Sequence, residues 1–132
     1  MTVSYREATE NSRLTQVVTD AGATAWFQTW SGAVPATPIA APAGSLLASC
    51  SMSATIGTVT GGVLTLNAIA DDTTANGTGV PTFCRIATTE TGTTTGIAQM
   101  SAAVGSGDVN FDASITAGAT VSITASGTIT HG

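Results

Sequence analysis

The chain has 132 residues, and only 8% of them are Asp, Glu, Lys or Arg, against about 25% in ordinary soluble domains. Lysine is absent, the only histidine is His131, the net charge is −5 and the pI is near 4.2. This composition excludes the cationic footprint of a phosphate-backbone binder, and it leaves few titratable groups for moving protons, phosphates or metals.

The length suits one domain, which at this size buries roughly two-thirds of its unfolded surface. With 42% hydrophobic residues the chain is not a disordered tail. Its uncharged runs are broken by Thr, Ser, Gly and Pro before reaching the ~20 apolar residues of a membrane span. Met1 to Glu7 lacks a basic start followed by an apolar core, so the expectation is synthesis and folding in the cytoplasm.

Ser4 and Glu7 have capping-box spacing, and Leu14, Val17, Val18 and Ala21 then recur at helical spacing. A short amphipathic helix is predicted over 5–21, with Gly22 as its C-cap. Its apolar stripe packs on the domain's own sheet or docks on a neighbouring subunit. From Ala23 the period changes, and a strand to Trp30 puts Trp26, Gln28 and Trp30 on one face. A Ser-Gly turn leads into an Ala/Pro-rich stretch over 33–45 holding Pro35, Pro38 and Pro42, too proline-dense for a central strand. It is predicted to be an extended loop or arm lying across the domain or a neighbour.

Six further strands are predicted at 46–53, 63–69, 81–89, 95–103, 108–115 and 119–130, divided by Gly-containing turns. In the last, Val121, Ile123 and Ala125 alternate with Thr120, Ser122 and Thr124, as in a strand with one face buried. Thr88 to Thr95 reads as a hairpin tip. The expected fold is mainly β, an antiparallel β-sandwich or barrel of about seven strands with one short N-terminal helix. Trp26, Phe27, Trp30, Phe83 and Phe111 supply most of the core's bulk.

Little in the sequence selects chemistry. Cys50 and Cys84 lie in strand-like runs with no His or Cys at metal spacing, and in a cytoplasmically folded chain they read as buried free thiols rather than a bridge. Asp71-Asp72, with Asn76, Asp108 and Asp112, offers oxygen ligands but no EF-hand spacing, so it reads as turns whose carboxylates cap backbone N–H groups. No carboxylate pair is marked out for glycoside hydrolysis. A Ser-His-Asp device would depend on His131, where chains fray. Gly57 to Gly62 is Gly-rich but lacks a phosphate-loop lysine. No catalytic, metal or cofactor site is expected. Trp26 and Trp30 have the rings to stack on a sugar, although such residues more often fill a core or an interface.

The run Gly62-Val63-Leu64-Thr65-Leu66-Asn67-Ala68-Ile69-Ala70-Asp71-Asp72 resembles small structural proteins of tailed bacteriophages. The helix around Asn11-Ser12-Arg13-Leu14, the Thr82-Phe83-Cys84-Arg85-Ile86 strand, the Gly107-Asp108-Val109-Asn110-Phe111 turn and the strand after Ile115-Thr116-Ala117-Gly118 are similar as well. The resemblance is one of pattern and brings no catalytic residue. It implies a virion component on the capsid exterior, a head decoration or cement protein that bridges major capsid protein subunits. Such a protein forms a homo-oligomer, with a trimer favoured over a dimer, and needs no cofactor, nucleic acid or membrane. The candidate interface residues are Arg6, Arg13 and Leu14 of the helix, Trp26 and Trp30, and Pro35, Pro38 and Pro42 of the arm. A tail, fibre or connector protein and a carbohydrate-binding β-sandwich are the alternatives.

Overall fold

The computed structural model describes residues 4–106, 108–123 and 128–130. His131, and Thr124 and Ala125 of the last predicted strand, lie outside them. The fold is mainly β with one helix, α1 (Glu7–Ala21), and eight strands among the described residues. Five strands make a mixed sheet in the order β2 (Leu46–Ser51), β1 (Trp26–Trp30), β5 (Phe83–Ala87), β6 (Gly96–Val104), β7 (Val109–Phe111). The other three make a smaller sheet in the order β3 (Gly57–Thr60), β4 (Val63–Leu66), β8 (Thr128–Thr130).

The helix begins later than its local signal. Its N-cap is Arg6, whose carbonyl accepts from the amides of Thr9 and Glu10 at 2.9 and 3.1 Å, and no side chain caps it. The Ser4–Glu7 box does not form, since the N-cap falls at Arg6, and Tyr5 precedes the helix with its ring 4.0 Å from the Arg13 guanidinium. Asn11 Oδ1 accepts from the Gly62 amide at 2.8 Å, tying α1 to the turn between β3 and β4. At the other end Gly22 adopts φ 69° and closes on Val18 O, as its C-cap position predicts. Leu14 and Ala21 are buried and Val17 and Val18 half-buried, so the stripe faces the chain's own core.

Two departures from the expected pattern have local causes. The Gly-rich run at 57–62 is a strand and a turn. Thr60 pairs with Val63 across Gly61 and Gly62, which carry φ 62° and 74°, the left-handed pair that a two-residue type I′ hairpin requires. The five-stranded sheet is not wholly antiparallel, since β7 runs parallel to β6. A parallel neighbour ordinarily needs a crossover of a dozen or more residues. Here β7 is only three residues long and pairs with β6 from Ala102, two residues behind the end of β6.

The stretches 67–82 and 112–123 are irregular but run alongside each other. Backbone bonds join Asp72 to Val121, Ala75 to Ala119 and Gly79 to Ile115 at 2.7–2.9 Å. The outer edge of β2 is closed by residues 70–77, through Ala70 N to Ser51 O, Asn76 N to Leu47 O and Ser49 N to Asp72 Oδ2. Asp72 also accepts from Thr74 N, Asp71 from Ser122 Oγ and Asp108 from Ser101 N and Oγ, so these acids act in turn and edge capping.

One face of the five-stranded sheet forms the core. Phe27, Ala48, Cys50, Cys84 and Ile86 project from it against Leu14 and Ala21 of α1 and Ile56, Leu64 and Leu66 around the small sheet. Both cysteines are free and buried, and burial pushes Cys50 from 9.0 to about 11 and Cys84 from 9.0 to about 12. The folded thiols hold protons that unfolded thiols release above pH 9. Stability from these sites is therefore full below pH 9 and is lost as pH climbs from about 9 towards 12. The melting temperature should fall across that window, and Cys84→Ala should flatten the fall relative to wild type in a pH series of thermal melts.

Candidate functional site

The opposite face of the same sheet carries polar side chains under loops. Strand register sets Ser49, Gln28, Arg85 and Gln99 side by side across β2, β1, β5 and β6. Gln28 and Arg85 have no exposed surface and Ser49 is buried. Each member of this row reaches up to hold a loop.

Arg85 is the centre. Its Nε donates to Gln99 Oε1 at 3.0 Å, Nη1 to Thr93 O at 2.9 Å, and Nη2 to Thr37 O at 3.2 Å and Ala40 O at 2.6 Å. These acceptors are neutral. Burial pulls the guanidinium below its ordinary pKa, but an arginine stays charged in proteins, and its planar fork suits several carbonyls at once. Gln99 Nε2 donates in turn to Pro35 O at 2.8 Å. Gln28 Nε2 lies 3.0–3.2 Å from the carbonyls of Thr89, Glu90 and Gly92, and its Oε1 accepts from Trp30 Nε1 at 3.1 Å. Ser49 Oγ approaches Asn76 Oδ1 at 3.3 Å and Glu90 Oε1 at 3.5 Å. Among the described residues no buried side-chain N or O lacks a partner.

Two loops are fixed in this way. The β5–β6 hairpin tip, residues 88–95, closes on itself through Thr89 and Thr95 hydroxyls 2.7 Å apart and is gripped from below by Gln28 and Arg85. The Ala/Pro-rich stretch is a closed loop lying across its own sheet. Its neck joins Ser31 to Ser45 in both directions, Ser31 N to Ser45 O and Ser45 N to Ser31 Oγ. Gly32, at φ 85°, crosses Gly44 so tightly that a Cβ on Gly32 would lie 2.8 Å from Gly44 Cα, and one on Gly44 would strike Ser31 O. Pro38 O sits where a Cβ on Gly96 would lie, which brings the loop down onto β6.

The residues picked out from sequence divide between two faces. Leu14 is buried in the core, and Arg6 at the N-cap and Arg13 on α1 are exposed, the helix packing against β3, β4 and β6 on the core side. Trp30 lies on the polar side, 4% exposed, with its ring stacked on Phe83 at 6.3 Å and 5°. Trp26 is half-buried at the end of the same face. Pro35, Pro38 and Pro42 are half-buried in the fixed loop. Trp30, Pro35 and Pro38 thus belong to one constellation, and Arg6, Arg13 and Leu14 do not. Arg85, Gln28 and Gln99 were not singled out from sequence. The signal was present, since Arg85 is one of three cations in the chain and stands inside an apolar strand.

Among the described residues no group of three or more His, Cys, Asp or Glu is placed to hold a metal, and no helix is long and apolar enough to cross a membrane. Compared with protein-family models, curated proteins and solved structures, the chain matches none.

Arg85→Met should cost about 3 kcal/mol, the scale of several hydrogen bonds to a charged donor with their carbonyl partners left behind. Proteinase K should then cut within 33–43 before the core opens. Arg85→Lys should restore part of the stability but not the protection, because a single ammonium cannot reproduce the fork.

Proposed function

We propose that this protein is a non-enzymatic decoration or cement protein of a bacteriophage head, which binds the outer surface of the capsid as a homo-oligomer and bridges neighbouring major capsid protein subunits. The observation that carries this reading is the loop-covered face. Its polar side chains are spent on holding two loops still, and what they present outward is a surface of Pro, Ala, Thr, Val and Ile in which Glu90 is the one charged side chain. A preorganised surface loses little entropy on binding. A modest contact repeated at many symmetry-related positions gains its strength by avidity. The pattern shared with small tailed-phage structural proteins supports the same reading. In it the two sheets are the halves of a β-sandwich, with α1 closing one side.

Purified protein mixed with undecorated heads of the parent phage should give ordered density at capsid symmetry axes by cryo-electron microscopy. Heads lacking the protein should assemble normally but break open at lower temperature or lower salt. Bare heads after mixing, or unchanged particle stability without the protein, would reject the assignment and move the protein to the tail or to a host surface.

Deleting residues 33–43 and joining the neck should abolish capsid binding while leaving the core face folded, as read by the burial of Cys50 and Cys84 towards a thiol reagent. A deletion variant that still decorates would place the contact elsewhere, with α1 the next segment to remove.

A further inference from the structure

The segment that closes the outer edge of β2 carries a reactive pair. Of Asn11, Asn67, Asn76 and Asn110, only Asn76 is followed by glycine. An asparagine loses its side-chain amide as ammonia when the next residue's backbone nitrogen attacks its Cγ. Glycine lets that attack proceed, because it has no Cβ to shield the nitrogen or restrain the backbone. The fold does not admit a bulkier neighbour here. A Cβ on Gly77 would lie 2.8 Å from Leu46 O. The residue that makes Asn76 labile is therefore demanded by the close approach of the segment to β2.

That same approach engages both reacting groups. Asn76 N and Gly77 N donate to one carbonyl, Leu47 O, at 2.8 and 3.2 Å. Asn76 Oδ1 accepts from Ser49 Oγ at 3.3 Å. Asp72 fastens the segment, its Oδ2 accepting from Ser49 N and its Oδ1 from Thr74 N, both at 3.0 Å. The attacking nitrogen must give up its proton, and the bond to Leu47 O opposes this. Reaction thus waits on local opening of the segment. Asn76 is exposed, so water has access to the site.

We propose that Asn76 is a deamidation site, converted through a succinimide with Gly77 at a rate set by release of residues 70–77 from β2. The Gly77 nitrogen loses its proton to solvent base and bonds to Cγ. The Cγ–Nδ2 bond breaks, and the amide leaves with a proton as ammonia. One water then opens the ring at either carbonyl, giving aspartate or isoaspartate. Neither product closes as before. Ser49 Oγ also lies 3.5 Å from Glu90 Oε1, and a hydroxyl has a single proton to give. An aspartate at 76 sets a second carboxylate across that hydroxyl from Glu90. An isoaspartate lengthens the backbone by one carbon between two amides that share Leu47 O. Either change frees the edge of β2 that the segment covers. The inference does not depend on the capsid reading.

The test is ageing of the full chain in mildly alkaline buffer, with peptide mapping by mass spectrometry and isoaspartate scored by methyltransferase labelling. In urea, Asn76 should convert ahead of Asn11, Asn67 and Asn110. In the folded chain it should convert at least about tenfold more slowly than in urea, the factor that two backbone hydrogen bonds are worth. Asp72→Ala should speed folded-state conversion about tenfold, as lost bonds to a charged acceptor imply, with Cys50 and Cys84 still protected from a thiol reagent. Asp72→Asn keeps the shape, weakens the acceptor and should act in the same direction, which covers an alanine variant that does not fold. Aged chain separated by ion exchange should keep its thiols buried yet be cut by proteinase K within 70–77. Asn76 intact in urea, equal rates in folded and unfolded chain, variants with buried thiols that convert no faster than wild type, or aged chain uncut at 70–77 would each overturn the proposal.

Discussion

The structure depends on a buried cation held by carbonyl oxygens. Taking a guanidinium out of water costs several kcal/mol after relaxation, and Arg85 recovers that cost only when Gln99, Thr93, Thr37 and Ala40 all present oxygens to it. Those oxygens come from a neighbouring strand and two separate loops. The sheet, the hairpin tip and the Pro-rich loop therefore stabilise one another through a single side chain. The same residue fixes strand register. A slip of β5 by one position would exchange the faces of the strand, driving Arg85 into the core beside Phe27 and Leu14 and turning Cys84 and Ile86 up under the loops. The penalty for an unpaired charge among hydrocarbon side chains makes that alternative inaccessible.

The two faces of the large sheet follow different physics. The core face is held by apolar burial, with small side chains and two thiols filling the space between a helix and a second sheet. The loop face is held by directional hydrogen bonds, and its polar groups are matched one to another. Contacts of the first kind tolerate repacking, whereas the second kind fix geometry. The molecule thus places its adaptable packing inside and its rigid scaffolding under the surface it shows to solvent. Strand edges are treated in the same spirit, since the 70–77 segment closes β2 and leaves no long bare edge there for another chain to extend.

Much of this was legible in the residues. The helix stripe of Leu14, Val17, Val18 and Ala21, the C-cap at Gly22 and the shared face of Trp26, Gln28 and Trp30 follow from periodicity, which local sequence encodes directly. The start of α1 was misread because the Tyr5–Arg13 contact and the tie from Asn11 to Gly62 are absent from the local capping signal. Strand β3 was missed because Gly57-Thr58-Val59-Thr60 is only four residues long and opens on a glycine, so its alternation is too short to stand out from the glycine-rich turn it leads into. The parallel β7 depends on an offset in register, which composition does not carry. The polar row was half visible. Gln28 was placed on the correct face, but its alignment with Ser49, Arg85 and Gln99 exists only once four strands separated in sequence are side by side. The prolines marked a loop, and nothing local told that the loop folds back on an arginine some 45 residues later.

The neck of that loop has a consequence for how the chain can change. Ser31 and Ser45 are joined across a crossing of two glycines that admits no side chain. Everything between them enters and leaves the body of the protein at one point. Chain added beyond Ala40, on the side leading back to the neck, would extend a closed circuit without displacing any strand. The entropic cost of lengthening such a circuit grows only with the logarithm of its length. The segment is in effect an exchangeable cassette, with Thr37 and Ala40 as its fixed mounting points. Foreign peptide carried there would be displayed outward by a scaffold whose own folding does not need to read it.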